Sequence, residues 1–190
     1  GPAHVASAMG RRVAQGGQLL LNTTVSGTQY HTNVAAYNGG FTAVWSTGTD
    51  IVLQRFDNAG AKVGGEMLAS TAAGSASAQA GSQYQPGIAS ASDGKLVIVW
   101  ADGGSNDGDS YGVFGRSYDA ATGTFGSTFL VNTTTASYQA YASDYNYAPD
   151  VAMRDGGGFG VVWPPYDQDS SSPRGEYGQR FDAAGNKSGG

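Results

Sequence analysis

Acidic residues on two loops have the type and spacing to hold a cation. Asp102 is followed by Asn106-Asp107-Gly108-Asp109, and Asp167-Gln-Asp169 runs into three serines. Side-chain oxygens at alternate positions with glycine between them suit a hard, oxygen-seeking ion. Calcium is therefore the expected ion, with Asp102, Asp107, Asp109, Asp167 and Asp169 as candidate ligands. The spacing completes no EF-hand loop, which needs more ligands and a closing Glu. Solvated turns are the competing reading. Asp167 and Asp169 also have the form of paired carboxylates for acid–base work, but nothing around them in sequence signals a raised pKa.

A second set is aromatic. Tyr138, Tyr141 and Tyr145 lie in a polar loop ahead of Tyr147 and are the candidate ligand-binding residues. Loop aromatics among Ser, Asn and Gly are a composition that binding surfaces favour. Trp45, Trp100 and Trp163 offer flat surfaces for sugar rings, but each ends an apolar run and reads first as core. Arg55 and Arg180 stand beside aromatic-Asp pairs, as anion ligands or as structural partners of a carboxylate or carbonyl. Catalytic signatures are missing: the chain has two His, His4 and His31, and contains no Gly-x-Ser-x-Gly, no His-Glu-x-x-His and no phosphate-binding glycine loop. No enzyme is expected on these grounds.

These residues hang on a threefold repeat. Phe41-Thr-Ala-Val-Trp45, Leu96-Val-Ile-Val-Trp100 and Phe159-Gly-Val-Val-Trp163 are copies of one β-rich run. Each is preceded by a short strand opening at Tyr30, Tyr84 or Tyr147 and by a turn at Asn38-Gly39, Asp93-Gly94 or Asp155-Gly156. Asn-Gly and Asp-Gly between apolar runs are strong hairpin signals because both residues tolerate positive φ. Each is followed by a third strand ending in Phe56-Asp57, Tyr118-Asp119 or Phe181-Asp182. A fourth strand is placed at residues 18–24, 66–71 and 129–134, where Asn-Thr-Thr recurs. A period near 60 with variation confined to loops is the mark of a repeated supersecondary unit.

The Trp-ending runs are apolar on both faces, so each must lie between two other layers. The fold class predicted is all-β: a β-propeller-like array of three four-stranded antiparallel blades, with a β-sandwich or β-prism as the alternative. Residues 1–16 read as a tag or linker. Residues 17–190 read as a single repeat domain with units at about 17–69, 70–131 and 132–190. A leading fourth strand, and a last unit without one, predict a homodimer built by strand exchange.

Composition narrows the partners. Among 190 residues there are 31 Gly, 13% are charged and 39% hydrophobic, with a net charge of −5. That is strand-and-turn composition rather than disorder. There is no basic patch for nucleic acid and no apolar run long enough for membrane insertion. Without Cys there is neither a disulfide nor thiol chemistry.

Gly157-Gly-Phe-Gly-Val-Val-Trp163, Tyr177-Gly-Gln-Arg-Phe-Asp-Ala-Ala-Gly185 and Phe129-Leu-Val-Asn-Thr-Thr134 resemble the tandem repeats of very large secreted bacterial proteins of the RTX, adhesin-like, calcium-binding kind. The nonapeptide calcium repeat of that family is absent here. The resemblance implies a bacterial secreted or cell-surface setting. It also implies a non-enzymatic interaction module for cell adhesion that binds glycan or a surface protein through its loops, or else a spacer that assembles only with its own copies.

Overall fold

The structure is a computed structural model that describes residues 16–136, 138–140, 148–164 and 175–189. It is all-β, with eleven strands among the described residues: β1 (Tyr30–Tyr37), β2 (Gly40–Ser46), β3 (Ile51–Asp57), β4 (Lys62–Leu68), β5 (Gln83–Ser90), β6 (Lys95–Asp102), β7 (Gly112–Asp119), β8 (Thr124–Leu130), β9 (Asp150–Met153), β10 (Phe159–Trp163) and β11 (Tyr177–Phe181). They form three antiparallel meanders. Sheet I is β1-β2-β3-β4, sheet II is β5-β6-β7-β8, and sheet III is β9-β10-β11. The first strands of neighbouring sheets stand side by side, β1 against β5 and β5 against β9.

The two-faced apolar runs do what their pattern dictates. In β6, Leu96, Ile98 and Trp100 enter a core shared with Val44, Ile51 and Leu53 of sheet I. Val97, Val99 and Ala101 of the same strand enter a second core with Val151, Phe159, Val161 and Trp163 of sheet III. Each fully buried Val, Leu or Ile side chain contributes roughly 1.5–3 kcal/mol. Sheet II is thereby held from both sides. A third, smaller cluster of Ala43, Trp45 and Phe56, with Leu21 packed on it, covers the other face of sheet I.

The turns follow from local chemistry. Asn38-Gly39 joins β1 to β2 directly, with Tyr37 paired to Gly40 and Gly39 at φ 108°. The Asp of each aromatic-Asp pair folds the next turn. Asp57 Oδ1 accepts the Ala59 and Ala61 N–H groups, Asp119 Oδ1 those of Ala121 and Thr122, and Asp182 Oδ1 those of Ala184 and Asn186. Side-chain oxygens that bind backbone two residues on are the reason Asp starts such turns. The bonds from Asn186 hold the Asp182 carboxyl below its usual range.

Two expectations need correction. The fourth strands lie earlier than predicted, at β4 and β8, because Lys62-Val-Gly-Gly carries no alternating pattern although it pairs with β3. The polar tails expected to be strand are instead caps: Ser70 Oγ and Asn132 Oδ1 accept N–H groups at the start of the third strands, from Ile51 at 2.9 Å and Val113 at 2.8 Å. Residues 18–24 belong to no strand. They lie on sheet I, where Lys62 Nζ donates to the Asn22 carbonyl at 2.9 Å and Glu66 Oε1 accepts the Thr23 and Thr24 N–H groups. Sheet III has three strands among the described residues, not four, with Lys187 bridged to Phe181 where a fourth would begin.

Candidate functional site

The first strands β1 and β5 each open with a bulge. Pairing slips between Tyr30 and Asn33 in sheet I and between Tyr84 and Gly87 in sheet II. At the equivalent bulge position stand His31, with φ 55°, and Gln85, with φ 52°. Positive φ in a residue with a Cβ is uncommon, and such strain gathers at functional sites. The strand starts pack closely here: a Cβ on Gly87 would meet the carbonyl oxygen of Pro149, the residue before β9, at 3.0 Å.

The three strand openings surround a cavity of about 380 Å³, lined by His31, Thr32, Asn33, Gln85, Pro86, Ala148, Pro149 and Asp150. Asn33 and Asp150 occupy matching places, each accepting the next residue's N–H at 2.8 Å through Oδ1. Asp150 is exposed at the strand end. Burial lowers the His31 pKa from its ordinary value, so the imidazole is neutral at pH 7. Its ring meets Tyr30 edge-on at 4.6 Å. The exposed carboxylate of Asp150 and amide of Asn33, at an opening walled by His31 and Gln85, can donate to and accept from a polyhydroxyl ligand.

The residues that sequence singled out lie elsewhere. Asp102 is fully buried. Its Oδ1 accepts from Gln83 Nε2 at 2.8 Å, Asn106 Nδ2 at 2.6 Å and the Gly104 N–H at 3.2 Å, and its Oδ2 accepts the Asn106 N–H at 3.0 Å. Asp102 thus clamps the loop after β6 onto the first residue of β5. Gly104 is held so tightly there that a Cβ would lie 1.7 Å from the Ala80 carbonyl oxygen. Asp107 accepts from Asn132 Nδ2 at 3.3 Å and from the Asp109 N–H at 3.3 Å, and burial raises its pKa. Among the described residues no three His, Cys, Asp or Glu side chains come together as a metal-ligand group. Asp167, Asp169, Tyr141 and Tyr145 lie outside the described residues. Tyr138 is half-buried and packs its ring against Tyr111 at 5.2 Å.

Trp45, Trp100 and Trp163 are buried, as core residues should be, and Trp100 Nε1 donates to Gln79 Oε1 at 2.8 Å. Arg55 is structural: it donates to the Ala120 carbonyl at 2.8 Å, tying sheet I to sheet II. His31 and Asp150 were visible in sequence only as parts of strand openings. Their signal was the shared offset after Tyr30, Tyr84 and Tyr147, which superposes His31 on Gln85 and Asn33 on Asp150.

No protein-family model matches the chain, and no curated protein matches it. Twelve solved chains match it, two of which are as follows. One is an α-L-arabinofuranosidase from Lactobacillus brevis, with TM-score 0.50 and 10% identity over 88% of this chain and 57% of that one. The other is a GH43 endo-arabinanase from Bacillus licheniformis, with TM-score 0.42 and 14% identity over 83% of this chain and 55% of that one. The chain therefore spans less than two thirds of either. The arabinofuranosidase likeness is one of fold, and it corrects the functional expectation. The architecture is shared with an arabinofuranosidase, and that likeness of fold stands against the expectation of an adhesin module or inert spacer.

Proposed function

We propose that these sheets are blades of a β-propeller of the glycoside-hydrolase type, and that a saccharide is engaged where their first strands begin. One observation carries the reading. Strained His31 and Gln85, with Asn33 and Asp150, converge from three sheets on one opening. The fold likeness to an arabinofuranosidase supports a pentose-containing oligosaccharide as the ligand class. In this arrangement Asp150 accepts hydrogen bonds from sugar hydroxyls, Asn33 supplies an exposed amide, and the half-buried His31 and buried Gln85 wall the opening. Glycoside hydrolysis takes two carboxyl groups about 5–9.5 Å apart. Asp150 is the one carboxylate lining this cavity among the described residues, so it is the group assigned to bind substrate.

The test is calorimetric titration with arabinan-derived oligosaccharides, with reducing-end release measured in the same samples. Saturable binding is expected, weakened at least tenfold by Asp150→Asn and by His31→Ala and unchanged by Asp109→Asn. Binding that survives both Asp150→Asn and His31→Ala, or no saturable binding, would remove the proposal.

A further inference from the structure

One departure from the repeat opens a cavity between two sheets. The third strands end in Gln54-Arg-Phe-Asp57, Arg116-Ser-Tyr-Asp119 and Gln179-Arg-Phe-Asp182, so Ser117 stands where the other two units carry Arg. The pairing around that position is the same in all three, with Phe41 opposite Phe56, Leu96 opposite Tyr118 and Phe159 opposite Phe181. In the first unit the arginine joins two sheets. Arg55 reaches from sheet I to sheet II, where Nη1 donates to the Ala120 carbonyl at 2.8 Å. Its guanidinium carbon lies 5.9 Å from the centre of the Tyr118 ring. A Cβ on Gly123 would sit 3.7 Å from Nη2, and Ala120 is buried.

Between sheets II and III the serine is too short to cross, and a cavity of about 580 Å³ lies there, lined throughout by described residues. Its walls include Ser117 and Phe129 of sheet II, Met153 and Phe159 of sheet III, and Ala183 and Gly185 of the turn after β11. Ala183 and Gly185 are the counterparts of Ala120 and Gly123. Ala183 is exposed, and a Cβ on Gly185 would meet nothing within 4 Å. Phe181, the counterpart of Tyr118, packs against Phe159 at 4.6 Å and Phe129 at 5.3 Å, so this side of the cavity is aromatic. Lys95 and Asp119 stand at its edge, and Lys95 is paired to Asp93 at 2.6 Å, so two carboxylates stand against one ammonium. The cavity lies by the turns that end β5 and β9, at the other end of the sheets from the opening at His31.

We propose that this cavity binds a small guanidinium compound of arginine's size, in the place that Arg55 fills between sheets I and II. The planar cation donates to the Ala183 carbonyl as Arg55 donates to that of Ala120. Its positive charge lies against the aromatic wall of Phe129 and Phe159, which attracts a cation through the ring quadrupole. Its alkyl stem covers the apolar surface beside Met153, as arginine stems do elsewhere. The excess carboxylate at the edge favours a cation over an anion. A guanidinium is preferred to an ammonium because it is planar, more weakly hydrated and stacks on aromatic faces. The site is separate from the saccharide opening and does not rest on that reading.

Calorimetric titration of the intact chain with L-arginine amide checks this. Saturable binding is expected, with L-lysine amide and the neutral isostere L-citrulline amide each at least tenfold weaker. Ser117→Arg carries its own guanidinium into the cavity and should abolish binding while the melting temperature holds or rises. Ser117→Ala leaves the cavity open and should bind as the parent does. Nuclear Overhauser contacts from the ligand methylenes to the Phe129 ring and the Met153 methyl locate the ligand without any variant. No saturable binding, equal binding of L-citrulline amide, unchanged binding to Ser117→Arg, or ligand contacts confined to other residues would each overturn the proposal.

Discussion

Replacing Asp102 with Asn separates a loop clamp from a metal ligand. The carboxylate accepts four hydrogen bonds, two from Asn106 and one each from Gln83 and Gly104, in a fully buried position. The amide keeps the shape but turns one acceptor oxygen into a donor, which then faces another donor whichever way it is flipped. One buried unsatisfied group costs about 1–3 kcal/mol, and the remaining bonds weaken because the carboxylate bound them more strongly. A total near 3 kcal/mol is expected. At roughly 2–4 °C per kcal/mol for a domain of this size, the melting temperature should fall by about 6–12 °C. The assay is thermal unfolding followed by circular dichroism, with chelator and with millimolar calcium. If Asp102→Asn melts within a degree of the parent, and calcium raises the melt of the parent alone, the clamp is wrong and Asp102 is a ligand.

Trp100→Ala should cost about 3–5 kcal/mol in denaturant unfolding, and Trp100→Phe clearly less, because the indole is fully buried between sheets I and II. His31 has a folded-state pKa below its ordinary value of 6.5, so the unfolded chain binds its proton more tightly. Stability should therefore be lost as pH falls below about 6.5, and His31→Gln should flatten that part of the pH–melting curve. Asp107 has a raised folded-state pKa, so its contribution is greatest below the ordinary value near 3.8 and is lost as pH rises through the folded value. Asp107→Asn should accordingly leave the melt at pH 7 unchanged or higher, since the amide oxygen still accepts from Asn132.

Much of the architecture was legible because it is written in side-chain pattern. The run Leu96-Val-Ile-Val-Trp100, apolar on both faces, required a layer on either side, and sheet II has both. Strands β4 and β8 were misplaced because Gly64, Gly65 and Gly126 present no side chain to the pattern, while backbone pairing with β3 and β7 defines them. The loop acids drew attention by type, and of these Asp102 and Asp107 accept neighbouring N–H groups through their oxygens. The opening around His31 and Asp150 was hidden for a different reason. It is assembled by three strand starts far apart in sequence, and by a backbone bulge whose positive φ leaves no mark on residue type.

The central claim is that saccharide is engaged at that opening, and His31 reports on it directly. The chain has two His, so the two imidazole proton resonances can be assigned by comparison with His31→Gln. Titration with an arabinan-derived oligosaccharide should move the His31 resonance saturably, with the same midpoint as the calorimetric binding curve, and leave His4 in place. A measurable binding curve with the His31 resonance unmoved would put the ligand elsewhere on the chain and contradict the account.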